Sequence, residues 1–371
     1  MADNNENKVL NVPHLRFPEF SGEWKKCKLG DLCNVLMCKR ILVSQTNTED
    51  GVPFYKIGTI GSTPDAYISK ELFDDYKVKY NYPRKGEVMI TCAGTVGKCV
   101  VYDGEDAYFQ DSNIVWIDNP TQYISNGFLF HLLSKVDWRK LNSTTIIRIY
   151  NDDLRNLKMS YPRKEEQQKI SHLLSLLDER IATQNKIIEK LQSLIRGIAQ
   201  NMVHRGKPNV RLSDCMICNS STLQESEVLE SGTYPVYGAN GIVGYLDCYA
   251  TLNEAIYIIK DGSGVGTVFY VAGKCSAAGT LNTLQAKEGY SLQYLYYLLT
   301  VFNFEPYKTG MAIPHIYFKD YGKAKVFCPS HSEQFKYTKL LSTIDSKLLA
   351  EQNALVNYNL QKQYLLRQMF I

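Results

Sequence analysis

Hydrophobic positions between Arg163 and Val203 follow a heptad pattern that is much longer than an ordinary globular helix needs. Apolar residues recur at alternating steps of three and four, and the one polar member of the series is Gln184. This spacing predicts a helix with one face forming a coiled-coil seam. At 1.5 Å per residue, about 40 residues predict a rod of roughly 60 Å. The seam consists of Leu174, Leu177, Ile181, Gln184, Ile188, Leu191, Ile195, Ile198 and Met202.

The last part of the chain repeats this pattern. A shift of 167 residues without a gap places Pro162 on Pro329 and the Glu-Gln pair 166–167 on the pair 333–334. Two matched seams predict long helices that pair antiparallel about a pseudo-two-fold axis, where one polar pair near the middle fixes the register. The alternative is two amphipathic helices that each cover their own domain. The second seam consists of Leu341, Ile344, Leu348, Glu351, Leu355 and Tyr358.

The segments that precede the two seams also resemble each other. Each contains short apolar runs interrupted by glycine, at 51–61 and 86–102 in the first copy and at 233–244 and 253–271 in the second. Such runs predict β-strands joined by tight turns. The second copy is about fourteen residues shorter, and the missing part corresponds to the Lys- and Tyr-rich segment DDYKVKYNYPRKG. A Tyr- and Leu-rich helix is predicted to follow in both copies, from Asn126 and from Ser291.

These patterns predict an α+β fold with an internal duplication. Two domains with mixed sheets are separated by two long helices that form an antiparallel coiled coil with pseudo-two-fold symmetry. We expect an N-terminal tail or arm over 1–22, disordered to about residue 12, a first domain over 23–161 and a long helix over 162–205. The second domain is expected over 206–328 and the second long helix over 329–371.

Composition narrows the class of protein only slightly. The 371 residues are 44% hydrophobic, and the net charge of +4 tolerates a polyanionic partner without demanding one. A polar start and the absence of an 18-residue apolar run favour a cytoplasmic protein with no membrane span. Ten scattered cysteines are expected to be reduced thiols, and the one close pair, Cys215 and Cys218, lacks the further ligands of a zinc site.

Sequence signatures of catalysis are missing. The run Ala93 to Cys99 has two residues between its glycines where a phosphate-binding loop needs four, and no hydroxyl follows Lys98. We interpret this run and the glycine-rich segment 262–266 as tight β-turns. No serine-hydrolase elbow, zinc-protease helix or aspartate-rich metal loop is present. An enzyme, such as a stand-alone nuclease or methyltransferase, is therefore the least favoured interpretation, and no metal or cofactor is expected in this chain.

The architecture instead suggests a binding device, in which two unlike domains held at a fixed spacing contact a split, asymmetric target. Double-stranded DNA is the favoured partner, because Lys and Arg anchor phosphates while Asn, Gln and Arg read base edges. An ordinary solvated surface is the alternative for each single candidate, and the tyrosines could equally belong to the core. The candidates in the first domain are Lys56, Thr59, Lys98, Arg148 and Tyr150; those in the second are Tyr237, Asn240, Lys260, Ser263, Lys308, His315 and Tyr317.

Several stretches are similar to one known family. The chain resembles the specificity subunit of type I restriction–modification systems along essentially its whole length. The resemblance rests on YPVYGANGIVGYLD from Tyr234, on GEVMITCAGTVGKCVVY from Gly86, on PRKEEQQKISHLLSLLDERIATQNKIIEKL from Pro162 and on the opening PHLRFPEFSGEW. The second domain departs from the family pattern at Asp261 to Gly264, and the second long helix opens with a looser motif, SEQF.

The resemblance implies a role within a larger assembly. Each domain would read half of a split DNA sequence, and the helices would fix the gap. Two methyltransferase subunits and the restriction or translocase subunits would be the protein partners, and these would bind S-adenosylmethionine, ATP and Mg²⁺. Exposed helix positions such as Arg180, Lys186 and Lys190 could meet a partner, although a solvated face is the stronger expectation. The competing hypothesis is a protein-interaction scaffold of the same architecture without DNA readout.

Overall fold

A computed structural model describes residues 10–140 and 148–371. The chain divides into two compact units. Unit 1 contains residues 1–183 and 355–371, and unit 2 contains residues 184–354. Both boundaries fall inside long helices, so each unit includes a part of both helices. None of the helices in the described ranges is long and apolar enough to cross a membrane.

Unit 1 is a mixed α+β unit whose elements precede and include the start of the first long helix. Its helices are α1 (Lys70–Lys79), α2 (Asn126–Lys135), α3 (Asn151–Arg155) and the first part of α4 (Lys164–His204). Its strands are β1 (Lys25–Lys28), β2 (Asn34–Leu36), β3 (Thr46–Asn47), β4 (Val52–Tyr55), β5 (Tyr67–Ile68), β6 (Val88–Thr91), β7 (Cys99–Val101), β8 (Tyr108–Phe109), β9 (Ile114–Asp118) and β10 (Lys158–Tyr161).

Two sheets and a ribbon build unit 1. One sheet is antiparallel with the order β2-β9-β6-β7, and the second has the order β3-β5-β4-β8 with β4 parallel to β8. Strands β6 and β9 are apolar except for their last residues, Thr91 and Asp118, and are completely buried, which fits central strands covered on both faces. The ribbon pairs β1 with β10. The three tryptophans of the chain, Trp24, Trp116 and Trp138, are all buried in unit 1, so their fluorescence reports on this unit alone.

Unit 2 repeats most of this order of elements, without counterparts of β3 and α1 among its described residues. Its helices are α5 (Leu212–Cys215), α6 (Leu292–Thr300), α7 (Phe318–Tyr321) and the first part of α8 (His331–Gln368). Its strands are β11 (Val210–Arg211), β12 (Met216–Ser220), β13 (Tyr234–Gly238), β14 (Gly241–Leu246), β15 (Glu254–Ile259), β16 (Val268–Ala272), β17 (Ser276–Ala277), β18 (Leu281–Ala286) and β19 (Lys325–Val326).

The strand topology of unit 2 matches that of unit 1 except at β3, which has no counterpart among the described strands of unit 2. The sheet β12-β18-β15-β16 corresponds to β2-β9-β6-β7, and β13 is parallel to β17 as β4 is to β8. Chain 247–253 connects β14 to β15 without a helix, where unit 1 carries α1. This difference accounts for the shorter second copy. The runs 93–99 and 262–266 join the antiparallel pairs β6–β7 and β15–β16, but the connections, 92–98 and 260–267, are longer than the tight turns expected.

Every predicted seam position of the two long helices is buried or half-buried, while Lys186 and Lys190 are exposed. In unit 1, Asp178 forms an ion pair with Lys362, and Arg180 donates a hydrogen bond to the Tyr358 hydroxyl. The two helices therefore run antiparallel within unit 1, and the Arg180 guanidinium belongs to their contact.

In unit 2, the polar seam residue Gln184 contacts the polar residue of the other helix. Its amide donates to the backbone carbonyl of Glu351 at 3.0 Å and to the Glu351 carboxylate. Farther along, Arg205 donates to the Tyr337 hydroxyl, so the helices run antiparallel in unit 2 as well. A polar pair in an apolar seam favours one register over its neighbours, because a shifted register would leave both groups unpaired.

One buried glutamine attaches each long helix to its own domain. Gln167 accepts a hydrogen bond from Ser125 N at 2.7 Å and donates to Pro162 O at 2.9 Å. Its repeat partner Gln334 makes the corresponding bonds, from Ser291 N at 2.9 Å and to Pro329 O at 2.9 Å. Ser125 and Ser291 are also the N-caps of α2 and α6. The repeated glutamine thus fixes the start of one helix against the start of another.

The neighbouring glutamates do not behave alike. Glu165 and Glu166 both lie in the first turn of α4, and Glu166 is buried and bound by Arg16 through two contacts of 2.8 Å. Residues 10–24 thus pack on unit 1, while residues 1–9 of the predicted tail lie outside the described ranges. The repeat partner Glu333 is exposed and accepts only from Ser330 at 3.1 Å.

His131 in α2 gives unit 1 a predicted pH dependence. The residue is 0% exposed, and neither ring nitrogen has a hydrogen-bond partner among the described residues. Burial lowers the pKa of His131 to about 4, whereas the unfolded chain keeps a pKa of about 6.5. Between these values, the unfolded state binds a proton that the folded state does not. The free energy of unfolding of unit 1 should therefore fall by about 3 kcal/mol as the pH drops through this range.

The substitution His131→Leu is expected to remove this part of the pH dependence. Urea unfolding followed by tryptophan emission at pH 7 and pH 4.5 measures it, because the tryptophans report on unit 1. The same substitution at the exposed His172 is the matched control and should leave the difference between the two pH values as in the parent. An equal pH dependence in the parent and in His131→Leu would contradict the assignment to this ring.

Candidate nucleic-acid interface

The turn that follows β4 positions the first two candidates of unit 1. The backbone N–H of Lys56 donates to the Thr59 hydroxyl at 3.0 Å, and Ile60 N donates back to Lys56 O at 3.0 Å. Thr59 is therefore the cap of this turn, so its hydroxyl is already occupied. The Lys56 ammonium is partly exposed and pairs with Asp65 at 2.9 Å. An exposed pair of this kind is weak and exchanges easily for a phosphate.

The β6–β7 turn brings Lys98 next to the turn that follows β4. Its side-chain ammonium donates to Ile60 O at 2.5 Å, and its backbone N–H donates to the Thr91 hydroxyl at 3.0 Å. Gly97 has a φ of 83°, and a Cβ there would overlap the Trp138 ring, which explains why this turn carries glycine. Lys98 consequently bridges its own turn and the turn that carries Lys56.

The segment Arg148 to Tyr150 joins this group from the opposite side of the turns. Ile149 N donates to Cys92 O at 2.8 Å, just beyond the end of β6. The Arg148 guanidinium donates to Ser112 O at 3.1 Å and lies 5.9 Å from the centre of the Tyr150 ring. Tyr150 is 61% exposed. Of the five candidates of unit 1, Lys56 and Arg148 border the turn 110–113 between β8 and β9, and Tyr150 lies beside Arg148.

Unit 2 brings four of its seven candidates together in a similar way. Lys260 follows β15, and its backbone accepts from Ile316 N at 2.9 Å. His315 makes a 2.6 Å hydrogen bond to Asp261, and its ring stacks on Tyr317 with 6.5 Å between ring centres. Ser263 is exposed in the β15–β16 turn. These residues form a mixed basic and aromatic surface.

The other three candidates of unit 2 differ in their surroundings, and Lys308 directly precedes Thr309, whose backbone pairs with that of His315. Tyr237 is half-buried and packs edge-to-face on Tyr257, with 6.0 Å between ring centres. Asn240 is exposed at the tip of the β13–β14 hairpin. Lys308 pairs with Glu305 at 2.6 Å. Tyr237 is thus mainly a packing residue, in line with the alternative left open for the tyrosines.

Corresponding hydrogen bonds show that the two surfaces are equivalent. Ile316 bonds to Lys260 as Ile149 bonds to Cys92, and Tyr317 thereby takes the place of Tyr150. The backbone bond from Cys92 N to Asn113 O at 2.7 Å has its counterpart between Lys260 N and Thr280 O at 3.0 Å. The backbone frame is shared, while most of the side chains on it differ.

Sequence reasoning did not identify the turn 110–113 or Arg40 as part of this surface. Arg40 forms an ion pair with Asp111 at 2.9 Å, which ties the turn to the loop before β3. The turn reads QDSN between two apolar strands and has no motif of its own. The turn can be recognised only from its equivalence to residues 278–280 of unit 2. That equivalence depends on matching hydrogen bonds rather than on sequence likeness.

The chemistry available at these surfaces favours binding. Burial raises the pKa of the Cys92 thiol to about 12, so this thiol stays protonated and is a poor nucleophile despite the nearby Arg148. Burial likewise raises the pKa of Cys218 to about 11. The residues that the structure describes contain no group of three or more His, Cys, Asp or Glu side chains able to hold a metal ion. Basic, amide and aromatic groups on rigid turns suit contacts to phosphates and base edges.

Comparison with known proteins connects these features to one family. A profile described as type I restriction modification DNA specificity domain matches residues 21–193 and matches again over residues 208–358. The two matches coincide with the two copies of the internal repeat.

Individual proteins are similar over different lengths. A protein named as the type I restriction enzyme specificity subunit S.HindORF215P of Haemophilus influenzae is 46% identical over 184 residues, covering 50% of this chain and 45% of that protein. One named as the MjaX specificity subunit of Methanocaldococcus jannaschii is 23% identical over 213 residues, covering 54% of this chain and 50% of that protein. The chain thus spans about half the length of the curated relatives it matches.

A solved structure extends the likeness to the fold of almost the whole chain. The crystal structure of the S subunit of a type I restriction–modification system from M. genitalium covers 97% of this chain and 99% of its own. The TM-score is 0.67 at 19% sequence identity. At this level of identity, the match establishes a shared fold.

Proposed function

We propose that this chain, which belongs to the type I restriction modification DNA specificity domain family, recognises a split sequence in double-stranded DNA. The observation that carries the proposal is that both units have the same backbone arrangement at these turns but carry different side chains on it. The same turns recur in both units, but Cys92 and Arg148 in unit 1 stand where Lys260 and His315 stand in unit 2. Two docking frames of one kind with different contact groups fit a target made of two different half-sites.

Each part of the internal repeat has its own proposed role. Residues 23–161 and 206–328 are the two recognition domains, and residues 162–205 and 329–371 are the two long helices whose antiparallel pairing sets the gap between half-sites. Support comes from the antiparallel contacts inside each unit and from a register pair, Gln184 and Glu351, near the middle of both helices. A rod of this kind plays the part that dimer spacing plays in helix-turn-helix proteins.

The proposed chain is a non-catalytic subunit that directs partners. Methyltransferase subunits would carry S-adenosylmethionine, and restriction or translocase subunits would use ATP and Mg²⁺. Lys186 and Lys190 are exposed on α4 and remain candidates for contact with a partner. Arg180 is a weaker candidate, because its guanidinium is engaged with Tyr358.

The test is co-expression with modification subunits of the same system, followed by mapping of adenine methylation across the host genome. The expected result is one split motif, with two short half-sites around a fixed gap. A stable complex that produces no methylation and binds no DNA would reject DNA recognition. Nuclease-resistant association with the protein partners would then favour the scaffold hypothesis.

Salt dependence provides a separate prediction for the assembled complex. If the complex makes 6–10 phosphate contacts, its DNA affinity should fall by about 10³- to 10⁵-fold between 50 and 200 mM salt, because each contact releases condensed counterions. Fluorescence anisotropy with a labelled duplex measures this slope. Lys56→Ala should reduce the slope by about one contact. An affinity that hardly changes with salt would contradict a phosphate-binding role for these surfaces.

A further inference from the structure

We propose that the turn 110–113 of unit 1 reads an adenine-containing base pair, and that residues 278–280 of unit 2 read a different base at the equivalent place. This inference rests on the proposed function, which assigns DNA to these surfaces but names no base-reading element. The two turns connect β8 to β9 and β17 to β18. We call them reading turn 1 and reading turn 2.

Reading turn 1 lies at the centre of the basic and aromatic surface of unit 1. Gln110 N donates to Tyr55 O at 2.9 Å, which places Gln110 beside the turn that carries Lys56. Ser112 O accepts from Arg148, and the carboxylate of Asp111 holds Arg40. Groups that anchor phosphates thus surround the turn on several sides, so a duplex docked on them would present its base edges to the turn.

Polar atoms on both reading turns lack hydrogen-bond partners among the residues that the structure describes. The Gln110 side-chain oxygen is buried and accepts no hydrogen bond from any described residue, and the Thr280 hydroxyl in reading turn 2 is in the same situation. No described residue bonds to the side-chain amide of Asn113 either, although it is only half-buried. An unpaired buried polar group is destabilising, so its presence requires an explanation. A base edge that satisfies these groups on binding provides one.

The backbone and the space around reading turn 1 agree with this role. Ser112 has a φ of 54°, a conformation that non-glycine residues rarely adopt and that concentrates at ligand-binding sites. Gln110 and Asn113 line a cleft of about 290 Å³ together with Arg40 and Lys56. The Gln110 amide can therefore rotate toward an open space that is bordered by Lys56 and by the Arg40–Asp111 ion pair.

The chemistry of the side chains selects the base. Asn and Gln amides pair with adenine at N6 and N7 through two hydrogen bonds, which gives direct readout in the major groove. Reading turn 2 is one residue shorter and carries Ala278 and Thr280 where reading turn 1 carries Gln110 and Asn113. It lacks an amide and so cannot select adenine in this way; a threonine hydroxyl or methyl contacts other bases. Equivalent positions on one frame thereby account for unlike half-sites.

The experiment exchanges residues between the reading turns in the assembled complex. Asn113→Thr and Gln110→Ala introduce the residues of unit 2, and adenine methylation of the host genome is mapped for each variant and for the parent. We expect about a tenfold loss of discrimination at one position of one half-site, while the other half-site and the gap stay unchanged. Asn113→Asp should shift the preference at that position from adenine toward cytosine, because a carboxylate accepts from cytosine N4.

Controls separate this inference from the proposed function. Asn156→Thr makes the same change at an exposed residue beyond the end of α3 and should leave the motif as in the parent. Tryptophan-detected unfolding verifies that the variants fold. If the parent yields a split motif and folded variants of Gln110 and Asn113 keep it with full discrimination, the inference fails while the proposed function stands. If the parent itself yields no split motif, the proposed function fails.

Discussion

Duplicating residues 177–183 of α4 together with residues 355–361 of α8 is expected to lengthen the recognised gap by about three base pairs. The two segments contact each other through Arg180 and Tyr358, so a matched duplication adds one heptad to each helix without changing the seam. Seven residues add about 10 Å of helix, and base pairs are stacked at 3.4 Å. Methylation mapping of the co-expressed complex measures the gap directly.

The longer gap should also affect the rate of methylation, because a stiff duplex does not twist freely to realign the two half-sites. Three extra base pairs rotate one half-site by about 100° relative to the other, because a turn of DNA takes about 10.5 base pairs. We therefore expect slower methylation of the new motif as well as loss of the original one. Duplicating only residues 177–183 is the control: it breaks the match between helices and should abolish methylation. An unchanged gap after the matched duplication would reject the coiled coil as the determinant of spacing.

How much of this molecule is predictable from its sequence depends on the length of the signal. The seam residues from Leu174 to Met202 recur over many turns, so their period determines a helix independently of its neighbours. The contact of Gln184 with Glu351 agrees with the polar interruption placed at the same point of both seams. The α+β character and the duplication were likewise accessible, because glycine-punctuated apolar runs occur in the same order twice.

The reading turns could not be predicted from the sequence in the same way. Gln110 and Asn113 belong to a short polar connection, and their importance comes from backbone contacts to Tyr55 and Cys92 that are distant in sequence. The candidates chosen from sequence near glycine motifs were partly internal, as Tyr237 and Thr59 illustrate. Local patterns locate turns reliably, but only tertiary contacts decide which side chain of a turn is free to meet a ligand.

The two glutamates of the repeated Glu-Gln motif also differ in a way that local sequence does not predict. They provide the last prediction. Glu166 is 1% exposed, receives two hydrogen bonds from Arg16 and one of 3.3 Å from Trp24 Nε1. Removing the carboxylate leaves a guanidinium that is only 16% exposed without its counter-ion. Breaking such a pair costs about 3–5 kcal/mol. Glu166→Ala should therefore lower the free energy of unfolding of unit 1 by that amount, as measured by urea unfolding with tryptophan emission.

The internal repeat supplies the matched control for this measurement. Glu333→Ala removes an exposed carboxylate and should change stability by no more than about 0.5 kcal/mol, followed by far-UV circular dichroism because unit 2 has no tryptophan. The double substitution of Arg16 and Glu166 by alanine should cost less than the sum of the single substitutions, since neither charge is then left alone. Equal small losses for Glu166→Ala and Glu333→Ala would show that the arm does not stabilise unit 1 through this pair. A large loss confined to Glu166→Ala would explain why one motif, repeated in sequence, is structural in one copy and merely solvated in the other.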